Sequence, residues 1–245
     1  MTDLSIPAGV LIKTTLVDFP GRVAAAYFLS GCNLRCPYCY NKELVTGTDN
    51  PQHSDFVSPE KVLAHLQKRA NVLTGFAISG GEPTLHPLTP LLIKKARALG
   101  YKIKLDTNGL RPDILKSFIS DPELRPDFIA MDIKTSPGRY ESVLHPQGNT
   151  STSCANLLQK SAALVASYPA GQREFRTVLV PELVTDRDIP AMAALLPQDA
   201  SWQFAQFRNE NCIDKTYTAL TPYTDAQIQE LVTQAQSLIP HAALR

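Results

Sequence analysis

The sequence predicts an α/β protein: an incomplete (β/α)6 barrel with parallel strands, helices outside and a cofactor site at the C-terminal mouth of the strands. Three observations predict it. Apolar runs suited to buried strands alternate with amphipathic helical segments six times. The residues suited to chemistry follow the apolar runs and not the helices. A chain of 245 residues, 44% of them hydrophobic, can bury one substantial core, so a single domain over 1–245 is expected. A doubly wound sheet fits the same alternation.

The first strand is "RVAAAYFLS", preceded by a segment over 1–22. The helix "SPEKVLAHLQKRA" follows, with Ser58 as cap, Pro59 at the first helical position and Val62, Leu63 and Leu66 on one face. "TGFAISG" is the second strand, followed by a helix through Leu91 to Leu99 that Gly100 closes. "YKIKLDTNG" is the third, with a helix from Pro112 toward Phe118. "PDFIAMDIKT" precedes a helix near 153–167, and "REFRTVLVP" precedes one from about Asp186. "SWQFAQF" leads into 207–245, a C-terminal cap and a helix. That helix opens on a capping box, Thr224 with Gln227, buries Ile228, Leu231, Val232, Ala235 and Leu238, and stops before Pro240.

A formal net charge of +1, from 24 basic and 23 acidic residues, excludes the large basic surface that general nucleic-acid binding requires. The N-terminus has no apolar h-region and no run is long enough to span a membrane, so a cytoplasmic protein is expected. Five cysteines, three of them crowded together, suit a metal better than disulfide bridges and imply a reducing compartment.

Those three lie in "FLSGCNLRCPYCYN" as Cys32, Cys36 and Cys39, after the first strand. "SGGEPT" ends the second strand, "DTNG" the third and "DIKT" the fourth; in parallel α/β folds that edge binds ligands. A structural zinc site wants four ligands, and His53 is the candidate to complete a Cys3His set; a non-catalytic zinc-binding module is therefore one reading. Three buried core cysteines fit poorly, because Asn33, Arg35 and Pro37 between them are loop residues. A 4Fe-4S cluster normally takes four thiolates, so three leave one iron open as a binding site.

The spacing Cys-x3-Cys-x2-Cys with Tyr38 before the last cysteine, joined by Gly80-Gly81-Glu82-Pro83, resembles the signature of the radical S-adenosylmethionine superfamily. Within it, "TTLVDFPGR", "DTNG", and "DIK" with Arg176 resemble the glycyl radical enzyme activating enzymes, especially the anaerobic ribonucleoside-triphosphate reductase activating type. The resemblance implies a 4Fe-4S cluster on Cys32, Cys36 and Cys39. It implies S-adenosylmethionine contacts from Tyr38, Gly80, Gly81, Glu82, Pro83, Asp132, Lys134 and Arg176, with Gly81 approaching the ligand through its backbone. It also implies a monovalent cation at Asp106 and Thr107, and a contact from Asp18 in the partner-facing segment 1–22 to a partner's loop.

The implied reaction is reductive cleavage of S-adenosylmethionine, with an external one-electron donor such as flavodoxin or ferredoxin and a glycyl radical enzyme as protein substrate. No acid–base pair is required of the protein. A radical S-adenosylmethionine enzyme acting on a small molecule or peptide would share every cofactor motif. Outside these motifs, Cys154 lies near a helix start with no role assigned, Cys212 reads as a small apolar filler rather than a reactive thiol, and residues 209–223 have no chemical role beyond a cap.

Overall fold

A computed structural model describes residues 3–46, 55–147 and 152–245. Two compact units emerge. One comprises Met1–Cys32, Glu43–Thr107 and Asp113–Ile129; the other comprises Asn33–Lys42, Asn108–Pro112 and Ala130–Arg245.

The first unit holds strands β1 (Gly9–Thr15), β2 (Ala24–Leu29), β3 (Phe56–Val57), β4 (Gly75–Gly80) and β5 (Lys102–Thr107), in the spatial order β3-β1-β2-β4-β5. Neighbours β2, β4 and β5 run parallel, with Ala24 opposite Gly75 and Leu29 opposite Gly80. Ala24, Ala25, Ala26 and Tyr27 are fully buried, which is why β2 reads as a continuous apolar run and not as an alternating one. Helices α1 (Lys42–Thr46), α2 (Pro59–Arg69), α3 (Thr89–Ala98) and α4 (Pro112–Ser120) accompany these strands. The expected Ser58 cap is present, its Oγ accepting from Lys61 N–H, and Gly100 closes α3 at a φ of 88°.

Strand β1 departs from the sequence expectation, which has no strand before residue 22. It pairs antiparallel with β2 and with β3. Its central residues are half-buried or exposed, so "GVLIKTT" lacks the apolar signature that marks the buried strands.

Strand β6 (Phe128–Asp132) starts in the first unit and ends in the second, which continues with the parallel strands β7 (Arg173–Leu179), β8 (Trp202–Gln206) and β9 (Ala242–Leu244). Its helices are α5 (Tyr140–Val143), α6 (Cys154–Ala166), α7 (Ile189–Ala193), α8 (Lys215–Thr218) and α9 (Asp225–Leu238). Phe175, Trp202 and Phe204 fill the core beneath the sheet, and Trp202 Nε1 donates to Thr177 Oγ1 at 2.9 Å. The capping box of α9 forms as expected, and Ile228, Leu231, Val232 and Ala235 are buried. Leu238, expected in the core, is 36% exposed because α9 ends on it.

The mostly parallel α/β architecture agrees with the expected class, with the antiparallel β1 and β3 added. Among the described residues no helix is long and apolar enough to cross a membrane.

Candidate functional site

In the first unit the chemistry collects where β2, β4 and β5 end. Beyond β2 the chain reaches Gly31, at a φ of 89°, and then Cys32. The backbone hydrogen bonds of the strands continue past their ends: Gly81 N–H donates to Leu29 O at 2.8 Å and Glu82 N–H to Gly31 O at 2.7 Å. The close approach explains both glycines. A Cβ on Gly80 would lie 2.2 Å from Leu29 O, and one on Gly81 would lie 2.0 Å from Gly31 O.

The sequence reading expects a side chain at Gly81 to fill the ligand's space. In the structure the glycine also lets the end of β4 press on the backbone that delivers Cys32.

Glu82 is buried and organises the next turn. Its Oε1 accepts from Thr84 N–H at 3.1 Å, Thr84 Oγ1 at 2.6 Å and Thr107 Oγ1 at 2.9 Å. Pro83 opens the one-turn 3-10 helix that follows. Asp106 Oδ2 accepts from Ser79 Oγ at 2.9 Å, and Oδ1 is bound by the ammonium of Lys104. Thus Gly80, Gly81, Glu82, Pro83, Asp106 and Thr107 share one edge of one sheet.

Asp18 lies elsewhere, in the segment before the first buried strand, where the sequence places it. It sits in the turn leading into the start of β2, while Cys32 follows that strand's far end. Six residues of strand, roughly 3.3 Å each, separate the two levels. Phe19 anchors the turn, 2% exposed and 5.9 Å from the Phe128 ring, and Thr15 Oγ1 accepts from the N–H groups of Val17 and Asp18. Leu16 and Val17 beside it are 73% and 67% exposed.

In the second unit, loop 33–42 carries Cys36, Tyr38 and Cys39. A tight turn closes it, Cys39 N–H to Cys36 O at 3.1 Å, and its flanks are held at several points. Arg35 N–H donates to Leu144 O, Gln147 N–H to Asn33 O, and Asn108 Nδ2 to Asn33 Oδ1. From the C-terminal segment, Ile213 N–H donates to Cys39 O at 3.1 Å, Asp214 N–H to Pro37 O at 2.9 Å and Asn211 Nδ2 to Tyr40 O at 3.3 Å. Residues 211–214, given no chemical role by the sequence, therefore brace the cysteine loop. Cys212 among them is buried, in agreement with its reading as a filler, and Cys154 is buried as well. Burial raises both thiols, that of Cys154 to about 12.

Tyr38 is buried, and its hydroxyl is pushed well up, first by burial. Asp132 at the end of β6 is the centre of a charged group. Arg176 Nε donates to its Oδ1 at 2.8 Å and Lys134 Nζ to its Oδ2 at 3.1 Å. Burial would raise this carboxyl, but the Arg176 and Lys134 charges outweigh it and hold it far below the usual carboxylate range. Lys134 N–H also donates to Tyr140 Oη at 2.8 Å. Tyr140 is a site neighbour that no sequence signal marks, because its contact depends on the turn after β6.

The donor set of the cysteine motif is three thiols in no disulfide, Cys32 and Cys39 half-buried and Cys36 buried. Burial raises the Cys39 thiol. Three soft thiols within eight residues could hold an iron–sulfur cluster, which spreads its ligands over separate irons. Among the described residues no three Cys, His, Asp or Glu side chains are arranged around a single metal ion. His53, the candidate fourth zinc ligand, lies outside the described residues.

Comparison with known proteins bears on this arrangement. The family model "Radical SAM superfamily" matches residues 27–158. A protein of Methanocaldococcus jannaschii named "Putative glycyl-radical enzyme activating enzyme" is 24% identical over 242 residues, covering 96% of this chain and 94% of its own. A 7-carboxy-7-deazaguanine synthase of Aquifex aeolicus is 32% identical over 83 residues, covering 33% of this chain and 34% of its own. Among solved structures, TYW1 with a lysine-pyruvate adduct bound shares the fold with a TM-score of 0.55 at 15% identity, over 87% of this chain and 73% of that one.

Proposed function

We propose that this chain, which belongs to the radical S-adenosylmethionine superfamily, is an oxidoreductase that generates a glycyl radical on a partner enzyme, an anaerobic ribonucleoside-triphosphate reductase. The superfamily uses a 4Fe-4S cluster and S-adenosylmethionine. When bound, these would supply one-electron reductive cleavage of a sulfonium carbon–sulfur bond, with an external donor as the electron source, and through it abstraction of a glycine α-hydrogen.

The residues of the chain provide the setting. Cys32, Cys36 and Cys39 are the thiolate ligands in this reading, leaving one iron for the cofactor. The Gly80-Gly81 contact with Leu29 and Gly31 fixes the backbone before Cys32. Asp132, ionised between Arg176 and Lys134, offers an oriented acceptor, and Tyr38 excludes water beside the loop.

The observation that carries the activating role is extent: the likeness to the activating enzyme of M. jannaschii runs over nearly the whole of both chains, whereas the synthase shares about a third. Asp18 supports it from a different direction. Its turn exposes Leu16 and Val17, and a partner loop touching Asp18 while reaching toward Cys32 would run the length of β2 in extended form. Glycine suits such a loop, since a backbone without Cβ enters a narrow space and leaves its Cα open.

Electron paramagnetic resonance tests the reading on anaerobic ribonucleoside-triphosphate reductase mixed with this protein, reductant and S-adenosylmethionine. A glycyl doublet is expected. Asp18→Ala should still cleave the cofactor but need more partner, by on the order of ten- to a hundredfold, the worth of a charge-assisted hydrogen bond. Efficient cleavage with no doublet on any glycyl radical enzyme would replace this reading with a small-molecule or peptide substrate.

A further inference from the structure

Lys104 is 1% exposed, on a strand whose other lysine, Lys102, faces solvent. Strand alternation puts Lys104 and Asp106 on one face of β5, with Leu105 on the other. Its ammonium bonds Asp106 Oδ1 and lies 6.0 Å from the centroid of the Phe128 ring, so a carboxylate and an aromatic face both attend the charge. Burying an ammonium is costly unless it is paired, and this one is paired to the residue the family resemblance assigns to a monovalent cation.

One of the oxygens expected to hold that cation already faces a positive charge of the protein itself. Asp106 Oδ1 meets Lys104, Asp106 Oδ2 accepts from Ser79 Oγ, and Thr107 Oγ1 donates to Glu82. Thr107 Oγ1 keeps its lone pairs when it donates to Glu82, so the charge at Asp106 and not the hydroxyl decides the fit. A metal ion at Asp106 would also stand beside a fixed positive charge. The residues present do not fit the implied ion.

We propose that the Lys104 ammonium takes the place of the monovalent metal ion at Asp106, a built-in cation that makes S-adenosylmethionine binding by this chain independent of Na+ and K+. Lys104 is thus a positioning residue, acting through Asp106. The inference rests on the superfamily's cofactor and not on which molecule receives the radical, so failure to activate any glycyl radical enzyme leaves it standing.

The test measures S-adenosylmethionine affinity and melting midpoint of cluster-loaded protein in NaCl, KCl or tetramethylammonium chloride. Ionic strength is held fixed so that screening is equal. The wild-type affinity should agree among the salts within about twofold, and a saturable dependence on Na+ or K+ beyond that overturns the proposal. Lys104→Ser removes the charge and leaves polar space. It should bind about tenfold or more weakly in tetramethylammonium and recover in Na+ or K+, while Lys104→Met, which fills the space, should not recover. Cation-independent affinity in Lys104→Ser equal to wild type would also overturn it. Should that variant not fold, the wild-type salt series decides alone.

Discussion

Asp132 shows how much one side chain's setting decides. Strand alternation puts Asp132 and Lys134 on one side of a strand, and Arg176, a guanidinium in an otherwise apolar strand, needs an anion. The structure makes Asp132 that anion, with Arg176 at 2.8 Å and Lys134 at 3.1 Å. The alternation was legible because it is local; the partner 44 residues away was not, since it depends on which strands become neighbours. Asp132→Asn should lower stability at pH 7 by about 1.5–3 kcal/mol, a fall on the order of 5 °C in melting midpoint. The folded carboxyl is depressed below its unfolded value near 4, so its stabilisation is fully present above that pH and drains away as pH falls toward the folded value. Wild type and variant should therefore differ steadily from pH 7 to about 5 and converge below about 4. Melting curves at pH 7 and pH 3 check this, and a gap that widens with acid would refute it.

At the level of elements, the ends of the strands matter more than their middles. Strand and helix positions were legible from apolar runs, caps and the Gly100 stop, and the antiparallel β1 was not, because a half-exposed strand carries a weak pattern. The glycine pair was legible as a place of close backbone approach. What it approaches was not, since β2 and β4 are separated by 45 residues of chain whose folding decides that Gly81 faces Gly31. Gly81→Ala should consequently disturb the protein before any ligand is present. Forcing a methyl to within 2.0 Å of a carbonyl oxygen requires backbone movement, for which overpacking costs of about 1–3 kcal/mol are typical. Calorimetry should show a lower melting midpoint, and iron content after anaerobic reconstitution should fall as the Cys32 backbone shifts. A variant with wild-type stability and iron that loses only S-adenosylmethionine would restore the ligand-contact explanation.

For the molecule as a whole, the cluster links cofactor loading to stability. A group that binds the folded chain and not the unfolded one stabilises by mass action, and thiolate ligands brought together by folding meet that condition. Removing the cluster by chelation should lower the melting midpoint, on the order of 5 °C, and Cys36→Ala should show no difference between reconstituted and chelated samples. Cys154→Ala and Cys212→Ala, both outside the cysteine loop, should retain the dependence. An equal midpoint with and without cluster in the wild type would mean that the loop is ordered independently of its metal, as the bonds from Ile213 and Asp214 already favour in part. The amino-acid sequence by itself determined the α/β class, the succession of strands and helices, and the family signature, because these rest on local periodicity and on residues a few positions apart. The tertiary structure alone decided that Gly81 meets the backbone of Gly31, that residues 211–214 brace the cysteine loop, and that Lys104 supplies the charge beside Asp106. Each of those depends on which segments become neighbours, and neighbourhood is set by burial and strand pairing over the whole chain, a collective outcome that no short stretch of sequence encodes.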